Sequence, residues 1–337
     1  MSAGANLIFL ISQPRAGSTL LQKILGAHPE IHTVSEPWVA LHPLFALRQK
    51  GVSAFYSHAL AREATRDFVS EQVYFDGVRL LLNHLYNSVL APSGKPIFLD
   101  KTPRYYFIIA ELRRVFPDAR FLFLLRNPLA VLSSILEAWV DRPPPGRRCA
   151  LRLDLLHDLL TAPHSLADAI ANPGPNDAII HYEELVRNPE VEVTRLCERL
   201  RLPFVPEMVE YGANDEMARW RFGDQVTVYA EKRPTPSRVE RWRNNLAATP
   251  AWTGMAHAYL AALGPGLIKR LGYDYSELAG GLANPERPID AAALVGDAIV
   301  TPAYGETSDL PSQISQFQDL LRRLKPLRRE TLQAAAG

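Results

Sequence analysis

The chain has 337 residues, 47% of them hydrophobic, enough for one large packed domain or two small ones. Lys and Arg number 37 against 36 Asp and Glu, a formal charge of +1, so no global field gathers nucleic acid or presses the protein onto an anionic membrane; any anion site must be local. Two cysteines, Cys149 and Cys197, are too few for a disulfide framework and fit a reducing, cytoplasmic setting.

Residues 1–6 carry no basic leader, and the apolar stretch at 7–12 is too short for a signal peptide. Uninterrupted apolar runs elsewhere, such as 121–125, fall far short of the roughly 20 residues that span a bilayer. The expectation is a soluble protein with neither a membrane nor a nucleic acid as partner.

In chain order, residues 7–11 read as a strand, followed by a loop at 13–17 and a helix whose stripe is Leu20, Leu21, Ile24 and Leu25, terminated by His28-Pro29. Residues 97–99 form a second strand. Thr102 as N-cap and Pro103 at the first helical position open a helix with Ile108, Ile109, Leu112 and Val115, which Pro117-Asp118 closes. The run 120–125 has the near-continuous apolar character of a central parallel strand, and Asn127-Pro128 starts the next helix. A further strand at 178–182 and a helix at 191–200 follow.

Alternating strands and helices predict an α/β fold of three layers, a central parallel sheet with helices on both faces. The domain is expected over 1–275. Beyond it, 276–337 shifts to Gly, Ala, Pro and Asp, with an amphipathic stretch at Phe317, Leu320, Leu321 and Leu324; this extension reads either as a helix packing on its own domain or as the arm of a homodimer. Pro-rich segments at 142–146, 172–175 and 233–236 are candidate acceptor-binding loops.

Open parallel sheets bind ligands outside the carboxyl ends of their strands. Gln13-Pro14-Arg15-Ala16-Gly17-Ser18-Thr19-Leu20 lies there: Gly17 lets the backbone approach an anion closely, Ser18 and Thr19 carry hydroxyls, and Arg15 offers a fork of donors. A nucleoside-triphosphate loop of the Walker type needs a second glycine and a lysine, and has neither here. Alone, the turn is equally good capping chemistry. Arg126, ending the strand 120–125, and Ser134, eight residues on, form a second pair of donors suited to one phosphate.

With both elements present, the sequence resembles the family of sulfotransferases that use 3′-phosphoadenosine 5′-phosphosulfate (PAPS). Pro14 to Thr19 match the family's 5′-phosphosulfate loop, Arg126 with Ser134 its 3′-phosphate motif, and Tyr182-Glu183-Glu184-Leu185 the segment whose tyrosine meets the adenine side. Arg238-Val239-Glu240-Arg241-Trp242-Arg243-Asn244 is similar to the segment that closes over the 3′-phosphate, although Lys232-Arg233-Pro234-Thr235-Pro236-Ser237 lacks the glycines of that loop. The resemblance implies a P-loop-like α/β sulfotransferase fold, PAPS as co-substrate and 3′-phosphoadenosine 5′-phosphate (PAP) as product. The donor-binding residues it implies are Arg15, Ala16, Gly17, Ser18, Thr19, Leu20, Arg126, Ser134, Tyr182, Arg233, Arg238 and Arg241.

Members that sulfate phenols and steroids carry a histidine two residues after a lysine; here Asp100-Lys101-Thr102-Pro103 has none. The spacing to Ser35-Glu36-Pro37 instead resembles the tyrosylprotein branch and many bacterial members, implying Glu36 as general base. That carboxylate is either desolvated by Trp38 or paired with Arg15. Lys101 matches a lysine beside the sulfuryl group, where with Arg15 it meets charge developing on the bridging oxygen. None of the nine histidines has metal-ligand spacing, so no metal is expected. Trp38, Phe45, Tyr105, Tyr106, Trp139 and Trp220 either line an apolar acceptor cleft or belong to the core. The acceptor expected is a small molecule offering a hydroxyl or amine, and the Ala, Arg and Pro content leans toward a bacterial natural-product enzyme. Competing readings are a P-loop-type small-molecule kinase and a non-catalytic nucleotide-binding protein.

Overall fold

A computed structural model describes residues 4–49, 52, 54–141, 157–213 and 231–284. Within them the chain forms two compact units, Met1–Leu125 with Asn172–Thr235, and Arg126–Ala171 with Pro236–Gly337. The loop 142–146, Cys149, Trp220 and the amphipathic stretch at 317–324 lie outside the described residues, as does the side chain of Trp139.

The first unit holds the sheet. Its strands are β1 (Leu7–Ser12), β2 (Ile31–Thr33), β3 (Ile97–Lys101), β4 (Arg120–Leu125) and β5 (Asp177–His181). All pair in parallel in the order β2-β3-β1-β4-β5, with Leu10 opposite Lys101 and Leu122. β1 is flanked on both sides, and every one of its residues is buried, which is why its sequence is uniformly apolar until Ser12. The chain turns one way from β1 to reach β2 and β3 and the other way to reach β4 and β5. The carboxyl end of β1 is therefore the switch point where a crevice opens.

Helices α1 (Ser18–Gly26), α2 (Leu41–Phe45), α3 (His58–Phe68), α4 (Glu71–Leu90) and α5 (Ile109–Val115) belong to this unit. Successive strand residues face opposite sides of a sheet. On one side Phe9 meets Tyr86 of α4, Phe116 and Phe121 at centroid distances of 6.1, 5.7 and 5.4 Å. Asp100 of β3 pairs in register with Phe9 and reaches the same Tyr86, whereas its neighbour Lys101 reaches Thr19 of α1. Helices thus cover both faces, and the expected three layers are present.

One local expectation needs correction. Thr102 does not cap a helix: its hydroxyl donates to Asp100 Oδ1 at 2.9 Å, and the segment after it is a 3₁₀ turn at Pro103–Phe107, with α5 beginning only after Ile108 leaves helical geometry (φ −128°, ψ 24°). The hydroxyl oxygen accepts instead from a distant amide, Trp38 N at 3.4 Å, while its hydrogen goes to Asp100, so the side chain is turned away from the amides of its own turn.

The second unit starts with α6 (Pro128–Ile135), where Asn127 accepts from Leu129 N at 2.9 Å and Ala130 N at 3.4 Å, and Pro128 occupies the first helical position. Helices Ala162–Ala171, Arg241–Ala247, Pro250–Arg270, which is broken by a kink at Gly264 (φ 71°, ψ 161°), and Tyr275–Gly280 belong to its described part. Among the described residues of the chain no helix is long and apolar enough to cross a membrane.

Candidate active site

The loop after β1 is bent by two left-handed residues, Arg15 at φ 70° and Gly17 at φ 99°. Such conformations turn successive backbone N–H groups into a concave anion site. Ala16 N donates to Gln13 O at 3.2 Å, closing the turn, and Leu21 N donates to Gly17 O at 3.1 Å as the first helical bond of α1. Gly17 brings no side chain to cap the helix, and the amides of Ser18, Thr19 and Leu20 head the end of α1. Together with the positive end of the helix dipole this makes a cradle for an anion. Arg15 is half-buried, and Ala16, Ser18, Thr19 and Leu20 are buried.

Glu36 lies in the turn after β2, and Lys101 ends β3. Lys101 is fully buried; its Nζ donates to Glu36 Oε1 at 2.6 Å and to Thr19 Oγ1 at 3.5 Å. Trp38 Nε1 donates to Glu36 Oε2 at 3.2 Å, so both carboxylate oxygens are held. Trp38 has a left-handed backbone, φ 60°, and its ring lies 5.6 Å from the Arg104 guanidinium. A bulky residue in that conformation costs about 1–2 kcal/mol and persists only where its surroundings fix it. Trp38 contacts Glu36 as expected, and Lys101 is a cation on its carboxylate.

Tyr182 opens the helix Tyr182–Arg187 directly after β5, and its ring lies over Gly17: a methyl group there would sit 2.5 Å from Cδ2 and 2.7 Å from Cε2. The loop, Glu36, Lys101 and Tyr182 are thus gathered within one unit. Arg233, in the same unit, is on the surface with Glu190 at 2.8 Å and Glu210 at 3.3 Å. In the second unit Arg126 follows β4 and Ser134 lies on α6. Arg238 ends the turn Pro236–Arg238, and Arg241 pairs with Glu137 at 2.6 Å.

Residues 7–206 match the model of the sulfotransferase family. The chain belongs to that family. Over 289 residues it is 28% identical to nodulation protein NoeE of Sinorhizobium fredii, covering 80% of this chain and 66% of NoeE. It is 22% identical to protein-tyrosine sulfotransferase A of Caenorhabditis elegans, covering 79% of this chain and 67% of that one. The chain therefore spans about two thirds of the length of these relatives. Among solved structures, the sulfotransferase domain from the curacin biosynthetic pathway shares the fold with a TM-score of 0.53 at 17% identity, covering 79% of this chain and 97% of that domain. The family match is to sulfotransferases, which supports the sulfotransferase reading over the kinase and non-catalytic ones.

The structure also shows polar residues that the sequence reading left aside. Asp100 is buried beside Lys101 on β3 and accepts from Tyr86 Oη at 2.7 Å, Tyr105 Oη at 3.0 Å and Thr102 Oγ1 at 2.9 Å. Burial lifts its carboxyl to about 6 against the pull of these three donors, and the nearby charge of Glu36 adds to the rise. Tyr105 and Tyr106, weighed as cleft residues, are core: both are almost wholly enclosed. The sequence signal for this cluster is a carboxylate next to a lysine at the end of a buried strand.

Proposed function

We propose that this protein transfers a sulfuryl group from PAPS to a hydroxyl or amine of a small-molecule acceptor, with Glu36 as general base. The observation that carries the proposal is the buried Lys101, which reaches both the first turn of α1 and the carboxylate of Glu36. A cation between an anion cradle and a base is what in-line sulfuryl transfer requires. In the reaction the acceptor's lone pair forms a bond to sulfur, the bond from sulfur to the 5′-phosphate oxygen breaks, and its electron pair stays on PAP. Glu36 takes the acceptor's proton. Lys101 and Arg15 meet the negative charge on the leaving oxygen, and the amides at 17–20 hold the 5′-phosphate.

The residues present suit the donor: a left-handed turn that carries Arg15, a helix start and the buried Lys101 beside Thr19 lie together, and the Tyr182 ring closes one wall of the loop. The assignment of Arg126 and Ser134 to the 3′-phosphate rests on their eight-residue spacing. Arg233 and Arg241 are each paired with glutamates, so a role in holding phosphate requires them to exchange those partners.

Thermal unfolding tests the donor. A ligand that binds only the native state at about 100 times its dissociation constant adds about 2.7 kcal/mol. PAP is expected to raise the midpoint, ATP with magnesium to leave it nearly unchanged, and Arg126→Ala to abolish the PAP shift. An equal response to both nucleotides contradicts the proposal.

A further inference from the structure

The turn at 36–40 is fixed from the opposite side of the sheet. Trp38 N donates to Thr102 Oγ1 at 3.4 Å and Ala40 N donates to Tyr105 Oη at 3.2 Å. Each of those hydroxyls in turn donates to Asp100, Thr102 to Oδ1 at 2.9 Å and Tyr105 to Oδ2 at 3.0 Å. The two chains run in the same sense, amide to hydroxyl to carboxylate, and directed chains of this kind strengthen one another in a low dielectric. The direction matters because a hydroxyl has a single hydrogen. While Asp100 takes that hydrogen, only the lone pairs of each hydroxyl are turned toward the turn, and these are what the amides of Trp38 and Ala40 need.

We propose that Asp100 is a positioning residue for Glu36: from the far face of β3 it orients the Thr102 and Tyr105 hydroxyls, which clamp the turn that carries that carboxylate. The proposal rests on the reading of Glu36 as base, because the clamp serves catalysis only if Glu36 does. The left-handed Trp38 is the strained element the clamp holds, and Trp38 Nε1 passes the constraint to Glu36 Oε2. Lys101, adjacent in sequence but on the other face, fixes the remaining oxygen. One strand end thereby sets Glu36 through two independent routes, an ion pair on one face and a hydroxyl relay on the other.

Tyr86 provides the control. Its hydroxyl donates to the same carboxylate at 2.7 Å and also meets the Tyr105 hydroxyl, but among the described residues it makes no hydrogen bond to a backbone amide of the 36–40 turn. Native-state hydrogen exchange of the full chain, read by mass spectrometry on peptides covering 35–41, tests the relay. Asp100→Asn leaves three hydroxyls with one fewer acceptor, and Thr102→Val and Tyr105→Phe each delete one link. All three are expected to speed exchange at Trp38 or Ala40 by about tenfold, the scale of one lost hydrogen bond, with PAP affinity by calorimetry within about twofold of wild type. Tyr86→Phe, which deletes no link to the turn, is expected to speed that exchange clearly less than the three relay variants.

Unaltered exchange at 36–40 in Thr102→Val and Tyr105→Phe, both close in shape to the native side chains, overturns the clamp even if Asp100→Asn fails to fold. Equal acceleration in Tyr86→Phe also overturns it, since general loosening of the core then explains the effect. Turnover, scored as PAP released from PAPS, separates this outcome from the fate of the base. Glu36→Gln alone decides the role of Glu36. If it is the base, adding Asp100→Asn to Glu36→Gln lowers turnover no further, whereas independent losses that multiply contradict positioning through Glu36.

Discussion

Replacing Gly17 with alanine puts the loop geometry to a quantitative test. Gly17 sits at φ 99° and ψ 16°, a region that costs a residue with a side chain about 1–2 kcal/mol. The added methyl would lie 2.5 and 2.7 Å from two carbons of the Tyr182 ring, well inside the roughly 3.5–4.0 Å of an ordinary carbon contact. Tyr182 is only 7% exposed and so has little room to yield. Overpacking of this kind costs about 1–3 kcal/mol, which brings the expected loss to about 2–5 kcal/mol. Urea unfolding of Gly17→Ala, Tyr182→Ala and the double variant reads the two contributions separately. In the Tyr182→Ala background the clash disappears and only the backbone cost of about 1–2 kcal/mol remains, giving a coupling of about 1–3 kcal/mol. A Gly17→Ala protein within about 0.5 kcal/mol of wild type, or one equally destabilised with and without the Tyr182 ring, refutes the reasoning.

Other outcomes follow from the buried charges. Lys101→Met removes a buried cation from Glu36, whose side chain is 12% exposed, and breaking a buried pair in this way costs about 3–5 kcal/mol; chemical unfolding is expected to show Lys101→Met with Glu36→Gln to be less destabilised than Lys101→Met alone. Asp100 gives a pH dependence of definite sign. Its carboxyl rises from 3.8 to about 6 on folding, so between these values the native state holds the proton more tightly than the unfolded state. The stability this provides is complete below 3.8 and is lost as pH rises through about 6, a span of about 3 kcal/mol at roughly 1.4 kcal/mol per unit. The stability difference between wild type and Asp100→Asn is therefore expected to shift against wild type from pH 4 to pH 7, and a constant difference contradicts the assignment.

Much of the site could be read in advance because its signals are local. β1 and β4 announce themselves as unbroken apolar runs and the loop between β1 and α1 by its single glycine before two hydroxyl residues, whereas Glu36 and Lys101 stand out only through the resemblance to the family. The Asp100 cluster was hidden for a physical reason. Its three donors come from 86, 102 and 105, and the tyrosines among them look like core aromatics to any periodicity argument, since burial of the ring and use of the hydroxyl are independent. Thr102 before a proline has the form of a cap, and only the fold shows that a carboxylate takes its hydrogen. Helices α3 and α4 went unread as well. In α4 the buried residues Phe75, Val78, Leu82, Tyr86 and Leu90 alternate with exposed Val73, Leu80, Leu81, Leu85 and Val89, so apolar residues occur all round and blur the helical period.

The central claim is that Glu36, held by Lys101 and Trp38, takes the acceptor's proton during transfer from PAPS. The most direct measurement compares sulfuryl transfer from sulfur-labelled PAPS by wild type and Glu36→Gln, alongside PAP affinity by calorimetry. The account predicts unchanged affinity and a turnover lower by about 10²–10⁴ in the variant, the range a general base contributes. Turnover close to wild type in Glu36→Gln contradicts it.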